Sequence, residues 1–423
     1  VSGEQGGGAA GEEQGGGAVS EGPAGGAARE EQGGGGVVDG QGGSASGDRL
    51  IERLRKRYPR VAVVHEWLTV PGGSEDVVIE LLGMFPGAEL YTTVYDPEPW
   101  PPIVGERPVH ASWLNRIPGA ARHYPKLLPL MSAAFRSFDL SGYDLVLSSN
   151  HACAKNVRTP GALHVCYCHT PMRYAWDESL LEGEDIGRLT RLALPLLLRR
   201  LRRQDVEGAA GPDVLIANSR HVAARIREHW RRDSQVINPP VEVDRLLALP
   251  RREQDYYLVF GRVVPYKRVD LAVAACALLG RRLKVAGDGR ALAAVRALAA
   301  EDPSVELLGR VGDAERDRLL AGARALLFPG EEDFGIVPVE AQAAGVPVIA
   351  YGVGGATETV LDGRTGVLFG ERTPQSLAGA IERFEGLEIQ SRAARENAAR
   401  FSGERFRREM AEAIDRAGTA APR

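Results

Sequence analysis

Two glutamates, Glu332 and Glu340, frame the stretch EDFGIVPVE at residues 332–340. Pro338 inside and Gly345 beyond it match the pattern of proline early and glycine late in a helix. This spacing leaves Glu332 in a loop and sets Glu340 about one turn into the helix. The first amides of such a helix, near Gly335, Ile336 and Val337, have no partner inside it and attract an anion or a hydroxyl. Glu340 at the same end can accept hydrogen bonds from a diol. Arg262 and Lys267 stand five residues apart in FGRVVPYKRVD, 260–270. Both can converge on one phosphate group, one as a planar fork and the other as a point charge. His169 ends the apolar run LHVCYC. The segment CYCHTPMRYAWD, 166–177, adds Thr170, Pro171, Tyr174, Trp176 and Asp177. Aromatic faces beside hydrogen-bonding groups suit a polyhydroxylated ring. Gly72 and Gly73, in HEWLTVPGGSED at 65–76, let the backbone approach a ligand closely. Alone, each feature also reads as ordinary structure: an acidic turn, a solvated basic turn, a polar strand end, a tight turn.

The elements around them change that balance. VAVVH (61–65), DLVLSS (144–149), LHVCYC (163–168) and DVLIAN (213–218) are short runs, apolar on both faces. Such runs predict parallel strands covered by helices. A second series follows: YYLVFG (256–261), RLKVAG (282–287), VELLG (305–309), RALLFP (324–329) and PVIAY (347–351). Helical patterns lie at Ser74–Phe85, with Ser74 as its cap, and at 269–279, 290–300, 313–322 and 337–344. Polar amphipathic helices fill 387–419. Alternating strand and helix, twice over, predicts an α/β chain of two doubly wound Rossmann-like domains facing a central cleft. The segment INPPVEVDRLLALPRREQ, 237–254, reads as their linker. Ligands of such sheets bind beyond the carboxyl ends of the strands, where every candidate residue named above falls.

Composition narrows the field. The 423 residues carry −4 overall and the first 48 carry −7, which leaves +3 for the rest. That is too little charge for a nucleic-acid binder. The first 48 residues hold 19 of the 51 glycines and repeat an EQGGG-like unit. They cannot bury enough apolar surface to offset ordering entropy, so a disordered tail is expected over 1–48. No run of about 18 apolar residues predicts a spanning helix, and no secretory signal pattern is visible. Cys153, Cys166, Cys168 and Cys276 are irregularly spaced, which fits a reducing cytoplasm better than a disulfide framework. His164, Cys166, Cys168 and His169 cluster, but no second ligand pair lies at zinc spacing, so a packed strand is expected. No Asp-x-Asp pair occurs.

Together, Glu332 and Glu340, GRVVPYK, the GG loop and His169 resemble the retaining glycosyltransferases of family four, which have the GT-B fold. HEWLTVPGGSEDVV, CYCHTPMRYAWD and ANSRHVAARI further resemble bacterial GDP-mannose-dependent mannosyltransferases of surface-polysaccharide assembly. The resemblance spans roughly 60–415. It implies transfer of a hexose, mannose in this branch, from a nucleotide sugar to a saccharide or lipid-linked saccharide, with no metal and no other cofactor. Arg262 and Lys267 would hold the donor diphosphate and Glu340 the ribose. Glu332 and the backbone at Gly335, Ile336 and Val337 would hold the donor sugar. His169 would line the sugar site, and Gly72 and Gly73 would approach the phosphates or the acceptor. A UDP-sugar-dependent transferase, a phosphorylase or epimerase on the same plan, and a non-catalytic nucleotide-sugar-binding subunit stay open.

The expected organisation is a tail at 1–48, an acceptor domain at 49–238, a donor domain at 239–400 and a helix at 401–423 that packs back on the first domain. RLTRLALPLLLRRLRR, 188–203, holds six arginines, seven leucines and no acid. It reads equally as a core-facing helix with a solvated basic face and as a peripheral contact to the anionic inner face of the cell membrane.

Overall fold

The structure is a computed structural model and describes residues 40–98, 100–177, 188–300 and 302–420. Of the tail expected over 1–48, residues 1–39 lie outside the described residues. From Gly40 to Arg57 the chain is helical, so the expected boundary at 48 falls inside a helix. Ile51 and Leu54, one turn apart, are buried in the first core and anchor that helix; this apolar face was hidden among charged neighbours.

Seven parallel strands form the first sheet: β1 (Val61–His65), β2 (Glu89–Thr92), β3 (Val109–Ala111), β4 (Leu145–Asn150), β5 (Leu163–Cys168), β6 (Val214–Ala217) and β7 (Gln235–Val236). Their spatial order is β3-β2-β1-β4-β5-β6-β7. Six more form the second: β8 (Tyr257–Phe260), β9 (Leu283–Ala286), β10 (Val305–Gly309), β11 (Ala325–Phe328), β12 (Val348–Tyr351) and β13 (Gly366–Phe369). The order there is β10-β9-β8-β11-β12-β13. Both sheets are doubly wound, and among the described residues their strands pair in parallel. The architecture is therefore the two-domain α/β plan that the alternation implied.

Each sheet has a core on both faces, which is why its strands are apolar throughout. In β1, Val61 and Val63 pack into one core and Ala62 and Val64 into the other. In β11, Leu326 and Phe328 face one core while Ala325 and Leu327 face the second. The segment expected as a linker is not bare chain. It contains a helix, Val243–Leu247, and its Val243 and Leu246 are buried in the second domain. At the far end Phe401 belongs to that same core. Phe406, Met410 and Ile414, in the helix Gly403–Ala420, belong to the core of the first sheet.

The helix Arg188–Ala209 carries Pro195 inside it. Leu198 and Leu201 are buried, whereas Leu196, Arg199, Arg200 and Arg203 are exposed. Its inner face is pinned by a buried pair, Lys155 Nζ to Asp205 Oδ1 at 2.6 Å. Asp205 Oδ2 accepts from the indoles of Trp176 and Trp230, each at 2.7 Å. Among the described residues no helix is long and apolar enough to cross a membrane. Nor is any group of three or more His, Cys, Asp or Glu arranged to hold a metal ion. His164 instead bonds Ser148 Oγ at 2.8 Å, and the four cysteines are free and buried.

Candidate functional site at the facing strand ends

The second domain assembles its half from loops that follow three neighbouring strands, β8, β11 and β12. After β8, Gly261 takes φ +122 and a short turn, Pro265–Lys267, follows. Lys267 Nζ meets Glu332 Oε1 at 2.7 Å. Burial works against the charge on Lys267, yet the Glu332 carboxylate outweighs it and lifts the pKa above the ordinary ammonium value. Arg262 is exposed and donates to Tyr266 Oη at 3.3 Å. Its charge works against the rises at Lys267 and at Tyr124 of the first domain, and adds a little to the fall that burial causes at His151. The guanidinium therefore lies at the crevice between the domains.

The loop after β11 is clamped from both sides. A Cβ on Gly330 would stand 2.6 Å from Lys267 Cα, so that loop rests backbone to backbone on the lysine turn. A Cβ on Gly354, whose φ is +72, would stand 2.5 Å from the Glu332 carbonyl oxygen, and Gly355 N donates to that oxygen at 2.8 Å. Glu332 is thereby fixed by two glycine contacts as well as by its own turn. The helix Ile336–Ala343 starts from Gly335 at φ +90 with no side-chain cap. Its leading amides at Ile336 and Val337 are left for a ligand. Glu340 lies one turn further in. Burial pushes its carboxyl upward, opposed by Arg316, while Glu242 adds to the rise.

The first domain reaches this helix tip through its glycine loop. A Cβ on Gly73 would stand 2.2 Å from Ile336 Cδ1. Gly72, extended in backbone, is the N-cap of the helix Gly73–Met84. The expectation that Ser74 caps this helix is corrected: Ser74 Oγ donates to Glu75 Oε2 at 2.9 Å instead. Asp76, in the same first turn, opens to solvent in the crevice but is crowded there. Loss of water contact, then Glu75, Glu340, Glu242 and Glu80, push its carboxyl up to about 7.

His169 follows β5, and its amide donates to the Asn150 carbonyl at 2.8 Å. Burial, with help from His151 and His65, holds its pKa well below the usual imidazole value. It is neutral. His151 is likewise depressed, to about 3, by burial and by His65. The loop carrying His151 is organised by Glu66. One oxygen of that buried carboxylate accepts the amides of His151, Ala152, Cys153 and Ala154 at 3.1, 2.7, 2.7 and 2.9 Å. Trp67 meets His151 edge-on with ring centroids 4.4 Å apart and Tyr124 at a tilt, 4.6 Å apart, so aromatic rings line this side of the crevice.

Arg262, Lys267, Glu332, Gly335, Ile336, Val337 and Glu340 thus gather on the second domain, with Gly72 and Gly73 packed across to them. His169 stands on the facing edge of the first. Sequence reading passed over Asp333, which lies between the two framing glutamates. Thr170 Oγ1 donates to Asp333 Oδ1 at 3.3 Å, and Arg173 Nη1 lies 3.6 Å from Oδ2. Ser219 Oγ donates to its carbonyl at 2.5 Å. His221 N donates to Glu358 Oε1 at 3.1 Å. Thr170, Arg173, Ser219 and His221 all stand in the two segments CYCHTPMRYAWD and ANSRHVAARI. A polar residue directly after a buried strand was the available signal.

The chain is similar to several known proteins. A D-inositol 3-phosphate glycosyltransferase of Geodermatophilus obscurus is 34% identical over 234 residues, 46% of this chain and 51% of that protein. The chain thus spans about half the length of such curated relatives. Among solved structures, sucrose-phosphate synthase of Thermosynechococcus elongatus superposes with a TM-score of 0.65 at 18% identity, over 86% of this chain and 100% of its own. Anabaena HepE, solved in complex with UDP, superposes with a TM-score of 0.62 at 18% identity, over 84% and 100%. Residues 71–245 match the family model described as Glycosyltransferase Family 4, and residues 248–401 match the one described as Glycosyl transferases group 1. With one model on each domain and the two-sheet plan beneath them, the chain belongs to the GT-B glycosyltransferases of group 1 and family 4.

Proposed function

We propose that this chain transfers a hexosyl group from a nucleotide sugar to a hydroxyl of a saccharide or lipid-linked saccharide, with retention and without a metal. The reading rests above all on the Lys267–Glu332 pair held beside the open amides at Gly335–Val337. A donor diphosphate offers Lys267 a stronger partner than one carboxylate. Arg262, bonded to Tyr266 Oη and without an ion pair among the described residues, joins it. Glu332 is then released to accept hydroxyl protons of the sugar. Glu340, whose carboxyl lacks an ion pair among the described residues, accepts from the ribose diol.

Transfer proceeds on one face of the ring. The bond between the anomeric carbon and the diphosphate oxygen breaks. The bond to the acceptor oxygen forms on the same side, and the acceptor proton passes to the departing diphosphate. Charge develops on that diphosphate, and two fixed cations with a helix tip stabilise it where they already stand. A covalent glycosyl–Glu332 intermediate is the weaker variant, because Glu332 is already engaged by the sugar hydroxyls.

The branch resemblance favours GDP-mannose. UDP sugars are the second reading, favoured by the UDP complex of HepE. D-inositol 3-phosphate is an acceptor to try, after the name of the relative. Thermal shift against GDP, UDP and ADP and then their sugars, with EDTA throughout, tests the reading. Stabilisation by GDP and GDP-mannose is expected. A response to UDP sugars alone moves the donor and keeps the chemistry; no response to any nucleotide contradicts the function. A catalytically silent subunit would bind the donor yet neither transfer nor slowly hydrolyse it. The exposed basic face of the helix Arg188–Ala209, with Leu196 69% exposed beside Arg199 and Arg200, is the proposed contact to an anionic inner membrane surface. With that contact the enzyme would work from the cytoplasmic side. Flotation with anionic liposomes that persists after Arg199, Arg200, Arg202 and Arg203 are changed to Gln would remove that contact.

A further inference from the structure

Behind His169 runs a chain of hydrogen bonds that the proposed transfer does not use. Three strand ends carry it. In the register of the first sheet His65 pairs with Ser149, and Ser149 with Tyr167. Side chains alternate along a strand, so His65, Ser149 and His169 share one face of the sheet. The helix Gly73–Met84 packs on that face through Val77, Val78, Leu81 and Leu82, which sets Glu75 of its first turn over His65. Glu75 Oε1 lies 3.0 Å from His65 Nε2. His65 Nδ1 lies 3.1 Å from Ser149 Oγ, and Ser149 Oγ lies 2.8 Å from His169 Nε2. His65, Ser149 and Glu75 are buried.

A carboxylate at one end gives the chain a direction. Burial opposes ionisation of Glu75, but its bonds to His65 and Ser74 outweigh this and hold its pKa below the usual value. As an anion it only accepts, so the His65 proton that faces it sits on Nε2. His65 Nδ1 can then accept the Ser149 hydroxyl proton. Ser149 Oγ, its own proton committed, accepts from His169 Nε2–H. His169 is left with a bare Nδ1, and whatever meets that atom must bring a proton.

We infer that Glu75, His65 and Ser149 are positioning residues that hold His169 as its Nε2–H tautomer, so that Nδ1 accepts a hydrogen bond from a hydroxyl of the transferred sugar. The inference rests on the proposed transfer. It adds a specificity: a neutral hexose can satisfy Nδ1, whereas a hexuronate that turns its carboxylate to this atom sets lone pair against lone pair. A buried acceptor left unmatched discriminates strongly between such ligands.

The tautomer is read directly on the full-length protein labelled with ¹⁵N-histidine, the His169 signals being those lost in His169→Ala. A protonated Nε2 and a bare Nδ1 are expected, and a proton on Nδ1 overturns the inference. Kinetics supply a second arm. In Ser149→Ala, kcat with a nucleotide-linked hexose should fall about tenfold while KM stays within about twofold. The two His169 tautomers should then coexist, and Ser149→Thr, which keeps the hydroxyl, should recover most of the rate. Discrimination against the matching nucleotide-linked hexuronate should narrow in Ser149→Ala and return in Ser149→Thr. Unchanged tautomer and rate in a folded Ser149→Ala would overturn the proposal. If the wild type turns over no nucleotide sugar, the transfer reading fails, while the tautomer, measured without substrate, still decides the chain.

Discussion

The two edges that face each other across the crevice are built alike and behave differently. Both are carboxyl ends of parallel strands. On the first domain the chemistry is neutral and locked: His151 and His169 are stripped of charge by burial, and Glu66 and Asp205 are spent on backbone amides and buried partners. On the second domain the chemistry is charged and exchangeable: Lys267 stays ionised, its partner Glu332 can be displaced, and the helix tip has no cap. In the proposed transfer one sheet edge recognises hydroxyls and the other holds a departing anion. The lesson is that burial without a partner neutralises a group, while burial beside one opposite charge stores a cation ready for use.

The largest effect should come from the locked side. Asp205→Ala leaves Lys155 and two indoles without their acceptor. It should cost about 3–5 kcal/mol of stability in denaturant unfolding, and a loss under 1 kcal/mol would show that the first domain is not held by this node. On the exchangeable side, Lys267→Ala should lower kcat by about 2–4 kcal/mol of barrier, with little change in melting temperature. Equal losses of rate and of stability would erase the contrast.

The seam between the edges is tested by Gly73→Ala. The new methyl meets Ile336 Cδ1, which is the far end of a flexible side chain. A loss of up to about tenfold in kcat/KM is expected, and Ile336→Val, which removes that atom, should restore it. No loss would mean that the glycine loop does not need this approach.

The smallest effect concerns Asp76. Its folded pKa of about 7 exceeds the unfolded value, so the native state binds its proton more tightly. Stability falls as pH rises from about 4 to about 7 and stays lower above that. Asp76→Asn should therefore raise the melting temperature at pH 8 and change it little at pH 4, an order read by calorimetry at the two pH values.

Much of the scaffold could be read from the chain, for a physical reason. Strands buried on both faces are continuous apolar runs, and β1 and β5 begin and end where those runs do. The strands β3 and β7 were missed because they are two or three residues long at a sheet edge and stay partly or fully exposed. β2 and β13 were missed because each opens on a residue that is not apolar, Glu89 or Gly366, which shortens the visible apolar run. The charged half of the site was legible because it sits in two short motifs. Of the neutral half, His169 was legible as a strand-end residue and its supports were not. Ser149 looks like the polar end of an apolar strand, and only the register places it between His65 and His169. Asp333 was overlooked because its partners lie over a hundred residues away in the chain. The base, sugar and acceptor depend on many such distant loops and leave no local pattern.

The central claim is that Lys267 and Arg262 hold a diphosphate without a metal. Titration calorimetry of a nucleoside diphosphate, GDP and UDP in turn, in EDTA with wild type, Arg262→Ala and Lys267→Ala tests it most directly. Binding in the wild type and a dissociation constant raised about tenfold to a hundredfold in Lys267→Ala are expected, with a smaller rise in Arg262→Ala. An affinity that vanishes with EDTA, or that neither substitution changes, would contradict the account.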